Sequence, residues 1–128
     1  MNTKNVPLIT IIDDEKHIRE SLSQYLTDIG HYRTKIFKDG REAIDWFIKN
    51  SSDVCIVDIK MPGINGFETI EEIRKKHPDQ NFIIFTGSRF QDIPLMSQKF
   101  NIPIEYIIVK PLPTMEIFLD KVAKILDN

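Results

Sequence analysis

The sequence predicts an α/β fold, an open, doubly wound five-stranded parallel sheet with helices on both faces. Three observations carry this. Short apolar runs rich in β-branched residues recur along the chain. Between them, apolar residues fall at the spacing of one helical face. The two patterns alternate from end to end, as expected of parallel strands joined by right-handed helical crossovers. At 128 residues the chain is one domain's worth and can bury one sizeable core, so residues 1–128 read as a single domain.

The elements follow in order. Leu8-Ile9-Thr10-Ile11-Ile12 is a compact apolar strand. Ile18, Leu22, Tyr25, Leu26 and Ile29 then share a helical face, with Gly30 as its C-terminal stop. Tyr32-Arg33-Thr34-Lys35-Ile36-Phe37 alternates in polarity and reads as an edge strand. Ala43, Ile44, Phe47 and Ile48 form the second helical stripe, with Trp46 beside it. Asp53-Val54-Cys55-Ile56-Val57-Asp58 is apolar on both faces, the pattern of a strand buried in a parallel sheet. Phe67, Ile70 and Ile73 mark a third helix, opened by Asn65-Gly66 and closed by His77-Pro78. Phe82-Ile83-Ile84-Phe85-Thr86 is the fourth strand. Pro94 would break a long helix but suits a first turn, so a short helix is expected over 94–100. Tyr106-Ile107-Ile108-Val109 is the fifth strand. Met115, Phe118, Leu119, Val122, Ile125 and Leu126 form the last helix, which follows Pro111-Leu112-Pro113 and has Thr114 as a candidate cap.

Composition narrows the function. Lys plus Arg is 17 and Asp plus Glu is 19, a net charge of −2, which lacks the cationic surplus that binding phosphates of a nucleic acid exploits. Hydrophobic residues at 41% and charged residues at 28% describe an ordinary globular chain and argue against disorder. One cysteine, Cys55, allows neither an internal disulfide nor a multi-cysteine zinc site and reads as a core residue. No apolar run approaches the roughly 20 residues of a membrane span, and the first residues do not have the pattern of a signal peptide.

In such sheets ligands bind beyond the carboxyl ends of the strands. The first strand ends in Asp13-Asp14-Glu15, the third in Asp58, the fourth in Thr86-Gly87 and the fifth in Lys110-Pro111. Asp13, Asp14 and Asp58 close together would repel one another and resist ionising unless a hard divalent cation such as Mg²⁺ joined them. For Asp13 and Asp14 alone, capping the next helix is an equal reading. Lys110 can pair with a carboxylate or hold a phosphoryl oxygen, although lysine at a strand exit is commonly just a surface residue. Thr86 can donate to an oxyanion or simply serve as a β-branched strand residue. Gly87 leaves room for a ligand beside the backbone. An aspartate in such a set can act as nucleophile and carry an acyl phosphate, in a reaction that needs mostly positioning and charge neutralisation.

The motifs Ile11-Ile12-Asp13-Asp14-Glu15, Val57-Asp58-Ile59-Lys60-Met61-Pro62-Gly63, Asn65-Gly66-Phe67-Glu68, Thr86-Gly87 and Val109-Lys110-Pro111 occur in this order. Together they resemble the receiver domains of two-component response regulators, across essentially the whole chain. The resemblance implies the flavodoxin-like strand order 2-1-3-4-5. It implies that Asp58 is the phosphoacceptor, Asp14 a direct Mg²⁺ ligand, Asp13 a ligand through water and the Lys60 backbone carbonyl a further ligand, with Mn²⁺ as a substitute metal. Lys110 would contact the phosphoryl group, Thr86 would move toward it, and Pro111 would follow a cis peptide bond. Met61-Pro62-Gly63 would form the loop leaving the site. The side chains of Lys60 and Ser88 would flank the path of attacking water and help set the phosphoryl lifetime. The implied partners are a sensor histidine kinase or phosphotransfer protein and a downstream effector protein or fused output domain. No direct contact with nucleic acid or membrane is implied, the location would be cytoplasmic, and a phosphorylation-dependent dimer is allowed. The domain would promote its own phosphorylation and dephosphorylation without being a conventional enzyme.

The sequence departs from the family at two places, one being the stretch from Thr86 to Lys110, which is slightly longer than usual and contains Pro94 and Pro103. Members usually carry an aromatic residue three positions before the lysine; Ile107 stands there, with Tyr106 one residue earlier. Either Tyr106 takes the role through a local bulge, or the domain signals by another route. Other classes fit less well. A haloacid-dehalogenase-like phosphatase wants a second acid where Lys60 stands, and a flavodoxin-like cofactor binder would set its phosphate against Asp13 and Asp14. A pseudo-receiver acting purely as an interaction module would lack some of the acids or the lysine. His17, His31 and His77 have no ligand spacing and read as surface or boundary residues, Trp46 and Phe47 as packing residues, and Arg74-Lys75-Lys76 as cations suited to a helix C-terminus.

Overall fold

In the computed structural model, which describes residues 5–87, 90–111 and 114–127, strands and helices alternate without interruption. They are β1 (Leu8–Ile12), α1 (Lys16–Asp28), β2 (Arg33–Phe37), α2 (Gly40–Phe47), β3 (Val54–Asp58), α3 (Gly66–Lys76), β4 (Phe82–Thr86), α4 (Ile93–Phe100), β5 (Ile107–Val109) and α5 (Glu116–Leu126). The strands form one parallel sheet in the order β2-β1-β3-β4-β5. The order reverses between β1 and β3, so right-handed crossovers place α1 on one face and α2, α3 and α4 on the other. Ring contacts agree with this. Phe85 of β4 meets Phe118 of α5 edge-on at 5.1 Å, whereas Phe47 of α2 meets His77 and Phe67 of α3 stacks on Phe100 of α4 at 4.8 Å.

Burial follows position in the sheet. Every residue of β3 and β4 is buried, as inner strands covered on both faces must be. β2 lies at the edge, with Arg33 and Lys35 exposed and Phe37 buried, as its alternation predicts. The core is built mainly from isoleucine and phenylalanine, including Ile9, Ile11, Leu22, Leu26, Ile56, Ile83, Ile84 and Phe118. No helix among the described residues is long and apolar enough to cross a membrane.

Local signals explain the helix boundaries, with several corrections. Asn65 and Glu68 form a capping box at α3, with the Glu68 amide donating to Asn65 Oδ1 at 3.0 Å. Pro94 sits in the first turn of α4, where its missing N–H has no partner to lose. The Thr114 hydroxyl accepts from the Glu116 amide at 3.2 Å, although the residue flanking α5 is Met115. Ile29 and Ile48 do not extend their apolar faces: both lie just past helix ends and are 58% and 49% exposed. Gly30 is not the left-handed stop of α1; the positive φ belongs to His31, at 60°. Gly30 is required for close approach instead, because a Cβ there would stand 2.6 Å from Leu119 Cδ2 and 2.7 Å from the Leu26 carbonyl oxygen. Tyr106 is not in β5 but in a 3₁₀ turn at Ile104–Tyr106.

Gly66 couples the fold to the sheet edge. Its amide donates to the Ile59 carbonyl at 2.9 Å, and a Cβ would lie 2.4 Å from the Asp58 carbonyl oxygen and 2.6 Å from Ile59 Cα. Both obstacles are backbone and cannot turn aside. Gly66→Ala is therefore expected to lower stability by about 1–3 kcal/mol in urea melts, the range for overpacking; an unchanged midpoint would show that the β3–α3 loop gives way freely.

Candidate functional site

The topology delivers four strand ends to one edge. Asp13 and Asp14 follow β1, Asp58 closes β3, Thr86 closes β4 and Lys110 follows β5. Registers Asp58↔Phe85 and Thr86↔Val109 bring the last three within two residues of one another along the sheet, and the Lys110 amide donates to the Thr86 carbonyl at 2.8 Å. The Lys110–Pro111 peptide bond is cis, as the resemblance implies.

The side chains converge. One carboxylate oxygen each from Asp13, Asp14 and Asp58 can be chosen so that all lie within 4.8 Å of one another. Asp13 and Asp58 are 2% and 3% exposed. Lys110 Nζ lies 3.4 Å from Asp58 Oδ2, 3.5 Å from Asp13 Oδ2 and 3.5 Å from Glu15 Oε1, and sits 4.7 Å from the centre of the Phe85 ring. Asp58 Oδ1 accepts from the Lys60 amide at 3.2 Å. Thr86 is fully buried. A Cβ on Gly87 would meet nothing within 4 Å among the described residues, so these leave the expected room beside this backbone.

The electrostatics are those of crowded acids. Burial, then the charge of Asp13, pushes Asp58 up to about 6, against the opposing pull of Lys110 and the Lys60 amide. Burial likewise raises Asp13. Burial works against the charge of Lys110, but Asp13, Asp58 and Glu15 outweigh it and hold the ammonium above its ordinary range. One lysine does not offset the desolvation of two buried carboxylates. Three converging carboxylates form a hard-oxygen donor set, and this fits Mg²⁺.

The helix-capping reading of the acids does not hold. The residue flanking α1 is Glu15, without a side-chain cap, and Asp13 Oδ1 instead accepts from the Glu15 amide at 2.9 Å. Two contributors have no role assigned from the sequence, although Glu15 stands in the first strand-end motif. Glu15 joins the lysine cluster, and Arg19 of α1 donates to the carbonyls of Asp13 and Asp14 at 3.4 and 3.2 Å, bracing the acidic loop. The only sequence signal for Arg19 is that it falls in the first turn or so after the acids. Ser88 lies outside the described residues. β5 pairs with β4 in unbroken register, Ile84↔Ile107 and Phe85↔Ile108. No bulge brings Tyr106 into the strand, and it sits at the end of the sheet opposite the acids.

Comparison with known proteins places this geometry. The family described as the response regulator receiver domain matches residues 9–121. The C4-dicarboxylate transport transcriptional regulatory protein DctD of Pseudomonas aeruginosa is 30% identical over 119 residues, covering 93% of this chain and 25% of that protein. Response regulator RR06 of Streptococcus pneumoniae is 32% identical over 103 residues, covering 80% of this chain and 46% of that protein. The chain thus spans a quarter to just under half of these relatives. Among solved structures, response regulator TrrA of Thermotoga maritima, determined with Mg²⁺ and a beryllium fluoride, is 34% identical with a TM-score of 0.77, covering 94% of this chain and 99% of that one. A CheY-like receiver domain protein of Methanospirillum hungatei gives a TM-score of 0.84 at 25% identity, covering 96% and 95%.

Sheet order, strand-end chemistry and comparisons define a parallel α/β signalling domain of two-component systems. The chain belongs to the response regulator receiver domain family.

Proposed function

We propose that this domain is a phosphorylation-operated switch whose acceptor is Asp58. A partner histidine kinase or phosphotransfer protein presents a phosphohistidine. A carboxylate oxygen of Asp58 attacks phosphorus, the new O–P bond forms as the P–N bond breaks, and the imidazole leaves with the electron pair. The observation that carries this reading is the placement of Asp58, a buried carboxylate within 3.4 Å of Lys110 and inside a cluster of acids at a ligand-binding sheet edge.

Asp13, Asp14, Asp58 and the Lys60 backbone carbonyl would hold Mg²⁺, or Mn²⁺ in its place. Bound there, the ion neutralises the carboxylates and the charge on the transferred oxygens. Lys110 supplies the second positive charge, placed to contact a phosphoryl oxygen once Asp58 carries it. Thr86, at the tip of the neighbouring strand, donates its hydroxyl to the same group and so couples β4 to the modification. The domain promotes its own phosphorylation and dephosphorylation and does not turn over a separate substrate.

The signal passes to a protein effector or to an output domain fused to this one. The greater length of the relatives supports that arrangement. Residues 1–128 act as one receiver unit in the cytoplasm, without direct contact with nucleic acid or membrane, and the phosphorylated form is open to dimerisation. With Tyr106 outside β5, signalling does not use an aromatic residue three positions before Lys110.

Labelling by a small acyl-phosphate donor tests the reading. Label is expected with Mg²⁺ or Mn²⁺, to vanish with excess chelator, and to be released by hydroxylamine as an acyl phosphate is. Chelator-resistant or hydroxylamine-stable label would overturn it.

A further inference from the structure

The basic run at the end of α3 does more than complement a helix dipole. Lys75 pairs with Glu72 at 2.7 Å, and Lys76 donates to the Ile48 carbonyl. Arg74 turns inward. Its guanidinium donates to the Phe100 carbonyl at the end of α4 and to the Gln80 carbonyl at 3.4 Å, and lies 5.1 Å from the centre of the Phe82 ring. Its Nε is buried and has no hydrogen-bond partner among the described residues.

Arg74 also lines a cavity of about 270 Å³ with the polar residues Asn81, Asn101 and Tyr106 and the apolar residues Phe82 and Ile125. The cavity lies at the amino end of β4. Asp58 lies level with Phe85, three residues further along that strand, so about 10 Å of sheet separates the two sites. Among the described residues no carboxylate lines it. A guanidinium offers five N–H donors, and the two carbonyls it meets carry no net charge. A partly buried cation that lines a cavity with amides and a phenol, with no acid opposite among the described residues, is set for an anion.

We propose that this cavity is a binding site for a small oxyanion, a carboxylate or a phosphate, held by the guanidinium of Arg74 and the side-chain amides of Asn81 and Asn101. At roughly 30 Å³ per water molecule, the space admits such an anion with part of its hydration. Because Arg74 also holds the last carbonyl of α4, an occupant would tie together the ends of α3 and α4 and the turn before β5.

The test is a magnetic-resonance titration of the full chain in chelator, with inorganic phosphate in one series and malonate in another. Sodium chloride holds the ionic strength constant and serves alone as the control. The Arg74 Nε–H signal and the Asn81 and Asn101 backbone amides are expected to shift and saturate with at least one of the two probes. The probe that saturates at lower concentration identifies the preferred anion class. Arg74→Gln should weaken binding about tenfold or more, the effect of losing charge-assisted hydrogen bonds. Asn101 has a left-handed backbone, φ 52° and ψ 48°, which glycine adopts freely. Asn101→Gly therefore removes one amide while sparing the helix end, and should weaken binding severalfold even if Arg74→Gln fails to fold. Shifts that stay linear with both probes, match those from chloride alone, or persist unchanged in a folded variant would overturn the site and leave an adventitious ion only. The phosphorylation reading does not depend on this outcome.

Discussion

Lys110→Ala is expected to slow phosphoryl uptake by about a hundredfold or more, the effect of removing one preorganised charge from a transfer site. Lys110 is the single cation within 4 Å of the carboxylates of Asp13, Glu15 and Asp58 among the described residues. Its loss leaves two buried carboxylates facing each other and exposes the incoming phosphoryl group to their charge. The same change should destabilise the metal-free protein by about 3 kcal/mol, since removing one partner of a buried ionic cluster strands the others. Lys110→Arg keeps the charge but replaces a compact ammonium with a planar fork, and should recover only part of the rate. Stopped labelling reactions and urea melts measure both effects. Uptake within a few-fold of wild type for Lys110→Ala would remove the lysine from the mechanism.

The second large effect runs in the opposite direction. Asp58 is pushed up to about 6 by burial and by Asp13, from an ordinary value of 3.8. An acid that holds its proton more tightly when folded stabilises the fold at low pH, and that stability is lost as pH rises. Here the loss falls between about pH 4 and pH 6, and above that range ionised Asp58 costs the metal-free fold about 3 kcal/mol. Asp58→Asn keeps the shape without the charge. In chelator above pH 6 it should be more stable than wild type by roughly that amount, with the two converging below pH 4. Parallel stability curves for the two proteins from pH 4 to 8 would show that the site does not strain the fold.

Much of this arrangement is legible in the residue order. Apolar runs such as Val54-Cys55-Ile56-Val57 show buried parallel strands because both faces are covered, and each run ends abruptly in a polar residue that the topology must carry to one edge. Convergence of Asp13, Asp14, Asp58 and Lys110 thus follows from strand order. What escapes depends on side chains crossing between elements. Arg19 reaches back along α1 to the acidic loop, and Arg74 folds under α4 instead of facing solvent; in sequence both are ordinary helix cations. Element ends fail for a related reason. Tyr106 belongs by composition to a strand, but the backbone turns at Ile104–Tyr106 and the pairing starts only at Ile107. Gly30 looks like a helix stop, yet Leu119 and the Leu26 carbonyl, rather than a backbone angle, demand the missing side chain.

The central claim is that Asp58 takes a phosphoryl group, and intact mass tests it most directly. Wild-type protein treated with Mg²⁺ and a saturating small acyl-phosphate donor should gain the mass of one phosphoryl group, while Asp58→Ala under the same conditions should gain none. An unchanged wild-type mass, or equal gain by the variant, would contradict the assignment.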